Sequence, residues 1–553
     1  MSNLLKKIQS QAVLFANPPS RLLLQQLENI DSIFFRNVTV NVWRNHNFEI
    51  LEDLAQPYLQ YAGLQTQFTL SDYDSSLAFS NWQQADLELI WLDSSFYEEQ
   101  SSQEKWLSWL QQRVAVLRLK TTAPIIVITW NSWATVQLSC ELLKEQGAFL
   151  VDLNSISQQR NTPLIDQRTN QFAGTPVSRK IQPILARYLA CHWICGILLP
   201  PIKALALDLD NTLHAGVLGE DGMGGVSLDN GFKEVQQLAI ELKKQGVFLI
   251  LVSRNEHQDV EKLFLERKDY PLKWNDFSVI KVSWGSKAEA IQQAANELNI
   301  ATDAILFIDD NIGELNNVAR QCPEVHLIHA ESAQSTLTAL TYYPSLWRWQ
   351  RTRDDALRVA DLKANQLRNE LKNSQYSEAE YFKSLETKLT IKFDDKDNII
   401  RLAELSGKTN QFNLSLSRYN QAQLQQFMQS TKATVVSVAL ADKLSDSGAI
   451  AIIVAELEEN ILVVKELCIS CRALGRELEN DIILTAIINT KLFQQCGQVK
   501  FLYNEGPRNQ PAKKWLDTAV EKFSDTKEKT LDVHQLRAYL PTEGLLLAIG
   551  ESK

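Results

Sequence analysis

Glycine and proline are scarce in this chain, 20 and 15 of 553 residues, about half the ~12% combined share of an average protein. That scarcity disfavours collagen, a turn-rich β-sandwich array and a linker-dominated chain. Positive charge is not in excess either. Lys and Arg number 56 against 66 Asp and Glu, a formal net charge of −10. The global basic footprint of a nucleic-acid binder is therefore absent, although a local basic pocket for phosphate is not excluded. The seven cysteines are few and odd in number. Only Cys191/Cys195 and Cys468/Cys471 lie close together, with no His at zinc spacing, so reduced thiols are expected. No run reaches the ~18 apolar residues needed to span a bilayer; WICGILL at 193–199 stops at Pro200 and Pro201. The start does not read as a secretory signal, because Pro18 and Pro19 break the short apolar stretch after Lys6 and Lys7. These absences predict a cytoplasmic protein with neither nucleic acid nor membrane as partner.

What is present is ample core material: 45% hydrophobic and 22% charged residues, the balance of a globular protein. The length predicts three or four domains. In residues 1–190 the apolar runs QAVLFA (11–16), LELIWLD (87–93), APIIVITW (123–130) and GAFLVDL (147–153) read as buried parallel strands. The stretch QEKWLSWLQQRVAVL (103–117) between them reads as helix. Residues 200–345 repeat the α/β rhythm with IKALALDLD, GVFLILVS and DAILFIDD as strands. Residues 350–386 read as a helical linker. From 387 to 553, KLTIKF, ATVVSVAL, GAIAIIVAEL and NILVVKELCIS read as antiparallel strands, followed by the helix LENDIILTAIINTKLFQQ. The fold class is thus α/β and multidomain, with an α+β C-terminal domain.

The strongest chemical signal is ALALDLDNTL at 204–213. An apolar strand delivers Asp208, Asp210, Asn211 and Thr212 at its carboxyl end, where ligand sites of open α/β sheets lie. Two aspartates two residues apart suit phosphoryl transfer, since one can attack phosphorus and the other can protonate the leaving oxygen. Their like charges call for a cation, and hard carboxylate oxygens favour Mg²⁺. LILVSRN places Ser253, then Arg254 and Asn255, where a hydroxyl could meet a phosphate oxygen, and these three, with Asn211 and Thr212, are expected to bind substrate. AILFIDDN adds Asp309 and Asp310, so the expected metal ligands are Asp208, Asp210, Asp309 and Asp310. Lys287 in WGSKAEA starts a helix, where its ammonium could hold phosphate.

These four pieces, in this order, resemble the motifs of the haloacid dehalogenase superfamily. The likeness narrows to the FkbH-like family: DLDNTLHAGVLGEDG (208–222) is similar to its DLDNTLWGGVVGEDG block. KTNQFNLSLSRY (408–419) is similar to its KTNQFNLTTRRY block, and SCRALGRELE (470–479) to its SCRVLGRGVE block. The resemblance runs from about 200 to 490, and the N-terminal part looks like the family's more weakly. It implies a Rossmann-like phosphatase domain joined to a C-terminal fold of the acetyltransferase (GNAT) type. It also implies work on the phosphopantetheine arm of an acyl carrier protein in polyketide assembly, loading glycerate from 1,3-bisphosphoglycerate. That substrate, a phosphorylated glycerate, carries an acyl phosphate already activated for thioester formation and a phosphate ester suited to the aspartate pair. The chain departs from the family pattern at His214, where Trp is expected, after FIDDN, where IGE replaces PVE with Glu314 in register, and at Glu477, where Gly is expected.

Cys471 taken alone reads as a small buried hydrophobe, the commonest fate of a free thiol. The resemblance makes it the acyl-carrying nucleophile, its pKa lowered by a following helix N-terminus and by Arg472 and Arg476. Cys468, inside the strand, reads as core. Asn410, Asn413 and Arg418 are expected to bind the glyceryl hydroxyls or the pantetheine amides, and Arg472 and Arg476 are expected to bind substrate as well. The N-terminal α/β rhythm looks like an SGNH-hydrolase fold, but its Gly-Asp-Ser nucleophile is lacking: the expected first strand ends in Ala-Asn-Pro-Pro-Ser. Docking or dimerisation is the better reading there. A plain Mg²⁺-dependent phosphatase and a non-catalytic carrier-docking scaffold are the competing functions. The Cys471 block argues against the first, and the intact motif set against the second.

Overall fold

A computed structural model of the chain describes residues 3–27, 35–98, 102–130, 141, 143–168, 170, 176–349, 357, 361, 364, 365, 367, 368, 371, 378–506, 508–524 and 528–551. The chain divides into two compact units. One holds residues 1–240, 249–294 and 302–350, and the other holds 351–553 with the short pieces 241–248 and 295–301. The architecture is mixed α/β with parallel sheets in the first unit and a mixed sheet in the second.

The first unit contains two five-stranded sheets. The first runs in the order β2-β1-β3-β4-β5, with β1 at Arg36–Arg44, β2 at Leu64–Tyr73, β3 at Leu87–Trp91, β4 at Ile125–Thr129 and β5 at Ala148–Asp152. All its pairings are parallel. Strands β3 to β5 and the helix Gln103–Lys120 fall where the apolar runs place them. QAVLFA does not form a strand: residues Asn3–Leu14 are a helix. Ile8, Ser10, Gln11 and Leu14 are its buried residues among those described, with Ile8, Gln11 and Leu14 at a helical spacing that a six-residue apolar run conceals. Gln11 fixes this helix against the second sheet. Its Nε2 donates to Tyr61 Oη and to the Leu327 carbonyl, both at 2.8 Å, and its Oε1 accepts from His329 N at 3.0 Å. The strand that heads the sheet is instead β1, RNVTVNVWR, and it ends in Arg44-Asn45-His46. The Ala-Asn-Pro-Pro-Ser stretch is therefore not a strand end, although no Gly-Asp-Ser stands at the true one.

The second sheet runs β10-β9-β6-β7-β8, with β6 at Ala204–Leu207, β7 at Phe248–Ser253, β8 at Val279–Val282, β9 at Ile305–Asp309 and β10 at His326–His329. β6 and β10 pair with β9 in parallel, and β7 with β8. Every residue of β6, β7 and β9 is buried, as continuous apolar strands covered on both faces must be. Chain direction across the sheet reverses at β6, with β7 and β8 on one side and β9 and β10 on the other. The carboxyl ends at this reversal form the crevice where such sheets bind ligands.

The second unit carries a seven-stranded sheet, β16-β15-β14-β13-β12-β11-β17. Here β11 is Lys388–Phe393, β12 Ala433–Ala441, β13 Asp446–Glu458, β14 Ile461–Ile469, β15 Gln498–Phe501, β16 Thr530–Asp532 and β17 Leu546–Ile549. β11 to β14 are antiparallel neighbours as expected. β14 pairs in parallel with β15 only over Ile461–Val464. Its second half is met instead by the 412–414 segment: Ile469 N donates to the Phe412 carbonyl and Leu414 N to the Leu467 carbonyl. Most of the expected linker at 350–386 lies outside the described residues; its end, Glu378–Leu385, is helical.

Candidate functional site

At the carboxyl end of β6, Asp208 is buried, and on the neighbouring strand Asp309 is fully buried with Asp310 half-buried. Each offers an oxygen within 4.8 Å of the others, a group able to hold a metal ion. Lys287, first residue of the helix Lys287–Glu297, is buried and reaches into the same space. Its ammonium donates to Asp208 Oδ1 and Asp309 Oδ2, both at 2.7 Å. Lys287 was expected to meet phosphate directly; here it bridges two carboxylates. The three acids together hold more negative charge than one ammonium offsets. The protonation balance reflects this. Burial pushes Asp208 upward, with Lys287 opposing and Asp309 adding. Burial also raises Asp309 against the pull of Lys287, and raises Asp310 with help from Asp309. Burial works against the Lys287 ammonium, but the two carboxylates hold its pKa above the usual value. A divalent cation suits this donor set: hard oxygens, excess negative charge and a fixed spacing.

Asp210 was expected among the metal ligands, and its carboxylate is not in that group. It points the other way. Oδ1 accepts from Leu218 N at 2.9 Å and lies 3.3 Å from His214 Nε2, and Oδ2 accepts from Asn255 Nδ2 at 2.7 Å. Burial alone would raise this carboxyl, but the bonds from His214, Leu218 N–H and Asn255 hold it below the usual range. In the sequence His214 stands out only as a departure from the family pattern. Its imidazole is fully buried against Asp210, and the signal available was its place four residues after that aspartate. Asn255, expected to touch substrate, also donates to Ser253 Oγ at 3.0 Å, so it orients both groups. Ser253 is buried at the end of β7. Asn211 has φ of 53° and accepts from Gly216 N at 3.0 Å. Thr212 Oγ1 is buried without a hydrogen-bond partner. Arg254 Nη1 lies 2.9 Å from Glu314 Oε1.

The C-terminal residues are arranged otherwise than expected. Cys471 is half-buried in a turn after β14, and the next helix begins only at Glu479. A thiol eight positions ahead is not in its first turn, so the helix-end argument for a lowered pKa does not apply. Arg476 does not stand free beside the thiol either. Its guanidinium is committed to Asp361 at 3.0 Å and Asp442 at 3.4 Å, a buried network that Arg368 shares. Arg472 is buried as well. Asn413 is fully buried and serves the fold: Nδ2 donates to Glu466 Oε1 at 3.1 Å and to the Ser406 and Thr409 carbonyls, while Oδ1 accepts from Leu416 N. Arg418 donates to the Gly407 carbonyl and to Asn410 Oδ1. The organiser of this loop is Glu466, buried on β14, which also accepts from Ser406, Ser415 and Ser417 N. Seven of the nine positions of β14 are buried, so nothing in its pattern marks that this one carboxylate lies inside. Cys468 is core as expected, packed with Leu402, Leu424 and Ile452, with burial and then Glu466 driving its pKa well up. Glu477 adopts φ of 60°, a left-handed backbone that glycine takes without strain, which accounts for the glycine expected there.

No protein-family model and no curated protein matches the chain. The solved structures similar to parts of it include the following three. The N-terminal part of a Bacteroides fragilis protein containing a phosphatase domain complexed with Mg is 20% identical, with 60% of this chain and 99% of that chain covered and a TM-score of 0.46. An uncharacterized protein from Corynebacterium glutamicum is 16% identical over 23% of this chain and 84% of its own, with a TM-score of 0.18. A GCN5-related glucosamine N-acetyltransferase region of a fungal multi-domain β-N-acetylglucosaminidase is 8% identical over 92% and 65%, with a TM-score of 0.16. These likenesses are too distant to assign an activity, and the carboxylate geometry is what bears on function. Among the described residues no helix is long and apolar enough to cross a membrane.

Proposed function

We propose that the carboxyl edge of the second sheet is the active site of a Mg²⁺-dependent phosphatase of the haloacid dehalogenase type. The observation that carries this reading is the cluster of Asp208, Asp309 and Asp310 around one ammonium, Lys287. Asp208, Asp309 and Asp310 would hold a Mg²⁺ ion, which would supply the missing positive charge and withdraw charge from a phosphoryl group. Asp208 attacks phosphorus: a new P–O bond forms to its carboxylate as the bond to the leaving oxygen breaks. Asp210 gives the leaving oxygen a proton. It then takes a proton from the water that attacks the acyl phosphate, which releases inorganic phosphate and restores Asp208. The bonds that hold Asp210 ionised suit the second half of this cycle. A bound phosphate beside it favours the protonated form that the first half needs. Ser253 and Thr212 supply hydroxyls to the phosphate oxygens.

The finer reading is a two-part enzyme. The Cys471 thiolate attacks the acyl carbon of 1,3-bisphosphoglycerate; a C–S bond forms, the C–O bond to phosphate breaks, and inorganic phosphate leaves. The pantetheine thiol of an acyl carrier protein then takes the 3-phosphoglyceryl group and frees Cys471, and the aspartate site removes the ester phosphate to leave a glyceryl thioester. The KTNQFNL and SCRALGR blocks support it. A plain phosphatase is favoured by the commitment of Asn413 and Arg476 to internal bonds. Incubating enzyme and holo carrier with 1,3-bisphosphoglycerate, followed by intact-protein mass spectrometry, separates the two. A glyceryl carrier supports the two-part enzyme. Mg²⁺-dependent phosphate release with an unmodified carrier supports the plain phosphatase, and neither product overturns both.

A further inference from the structure

The seven-stranded sheet of the second unit has two edges, and they differ. β16 is three residues long, with Thr530 and Leu531 buried. At the other edge β17 is apolar and open: Leu546 is 50% exposed, Leu547 37% and Ile549 44%. From Leu545 to Gly550 there is no charge and no proline, the devices that keep exposed edges from pairing. β17 runs parallel to β11 and bonds it through alternate residues. Leu546 N donates to the Thr387 carbonyl at 2.9 Å, and Gly550 N to the Ile391 carbonyl at 2.8 Å. Residues 546, 548 and 550 therefore face β11, and the N–H and C=O groups of Leu547 and Ile549 face away. Among the described residues no strand lies on that side. The partner that fits a row of main-chain donors and acceptors flanked by apolar side chains is an extended backbone.

We propose that this partner is β17 of a second copy of the chain, paired antiparallel about a two-fold axis. The axis sets the same patch on both sides, so each outward N–H meets an outward C=O. Hydrogen-bonded pairs form only between outward-facing residues, which leaves three registers near the strand centre. Leu547 opposite Leu547 brings Glu551 to the turn that carries Glu543, two acids together. Ile549 opposite Ile549 leaves one apolar pair and sets Leu547 against Glu551. Leu547 opposite Ile549 makes two apolar pairs, sets Ala548 against Ala548 on the axis and leaves Glu551 against Leu545. It also brings Lys553, beyond the described residues but two positions after Glu551 in the sequence, to Glu543. This third register, apolar in the middle and opposite in charge at the ends, is the one the dimer takes.

The test uses the full chain. Residues opposite each other in a non-hydrogen-bonded pair have Cα atoms ~4.5 Å apart, within reach of a disulfide. Ala548→Cys should thus give a disulfide-linked dimer on a non-reducing gel after mild oxidation, above the wild-type background. Leu546→Cys should not, because its two copies lie four residues apart along the pair, roughly 13 Å. Sedimentation velocity of the wild type should show a reversible monomer–dimer equilibrium in the micromolar range, since so short an edge buries less than the roughly 1,200 Å² of a standard interface. Leu547→Pro removes an outward N–H and no bond to β11, a place where an edge strand accepts proline. Two hydrogen bonds are lost by symmetry, so Kd should rise by about tenfold or more. A wild type that stays monomeric at about 100 µM would overturn the proposal and leave the edge to a strand of another protein. Equal cross-linking at 546 and 548, or a dimer untouched by Leu547→Pro, would overturn it too. The cysteine pair decides even where Leu547→Pro does not fold.

Discussion

Replacing Lys287 by Met keeps most of the side-chain stem and removes the one ammonium from the carboxylate cluster. Two contacts of 2.7 Å are lost. Asp208 and Asp309, both buried, then face each other and Asp310 uncompensated. Removing one partner of a buried ion pair costs about 3–5 kcal/mol, chiefly because the charge left behind stays buried. Protonation limits the loss, since burial already pushes all three carboxyls upward. Without metal, Lys287→Met should therefore lose about 3–5 kcal/mol near pH 8, and less near pH 5.5, where the acids bind protons. Mg²⁺ acts in the opposite sense. It binds the folded site alone, so at about 100 times its Kd it adds about 2.7 kcal/mol to either protein, and the loss shrinks only by as much as the variant binds it more tightly. It should bind the variant more tightly, because the repelling ammonium is gone. The assay is urea unfolding followed by tryptophan fluorescence, with EDTA and with excess Mg²⁺, at both pH values. The loss should shrink by half or more in Mg²⁺ and at the lower pH. An equal loss in all four conditions would refute the electrostatic account, as would no loss in EDTA.

Other expectations follow from the same geometry. Asp210→Asn should slow phosphate release by about 10²–10⁴-fold, read in a phosphate-release assay, and an unchanged rate would place the proton transfer elsewhere. Burial holds three histidines of the first unit below their usual range: His46 at about 3, with Arg44 adding, His192 at about 4 and His326 at about 4. Depressed folded-state values mean that the stability they confer is present above the unfolded pKa near 6.5 and is lost as pH falls toward 4. By pH 5 each costs about 2 kcal/mol, so thermal melts should drop steeply between pH 6.5 and 5. His46→Phe, seated between Trp91 and Trp130, should flatten that slope by about a third, and an unchanged slope would assign the acid loss to other groups. Cys471→Ala should abolish carrier loading in the mass assay, whereas Cys468→Ala should keep it at a modest stability cost; normal loading by Cys471→Ala would show that the acyl group passes directly to the carrier.

The second sheet was legible because its strands are short, fully buried apolar runs that end in charged residues, so pattern and chemistry coincide. Asp208, Lys287 and Asp309 converge as their motif order implies. The edge strands β8 and β10 were harder to see: four residues such as VIKV and HLIH carry too little pattern to separate from loop. In the first sheet the alternating RNVTVNVWR forms β1, while QAVLFA, more hydrophobic, belongs to a helix held by Gln11 contacts hundreds of residues away. Tertiary contacts override local apolarity there. The direction of the Asp210 carboxylate was not legible, because it depends on Leu218 N, His214 and Asn255 converging from separate segments. The same holds for Arg476, whose acidic partners lie 115 and 34 residues away. Motifs name the groups of a site, and the fold decides which way each one faces.

The most direct test of Asp208 as the phosphoryl acceptor is to trap the acyl phosphate itself. Enzyme turning over a phosphate monoester in Mg²⁺ is quenched in acid, digested and examined by peptide mass spectrometry. A single added phosphoryl group on the peptide containing Asp208, lost on treatment with hydroxylamine and absent in Asp208→Asn and in EDTA, is the predicted result. Sustained phosphate release by folded Asp208→Asn, or a phosphoryl group on another residue, would contradict the account.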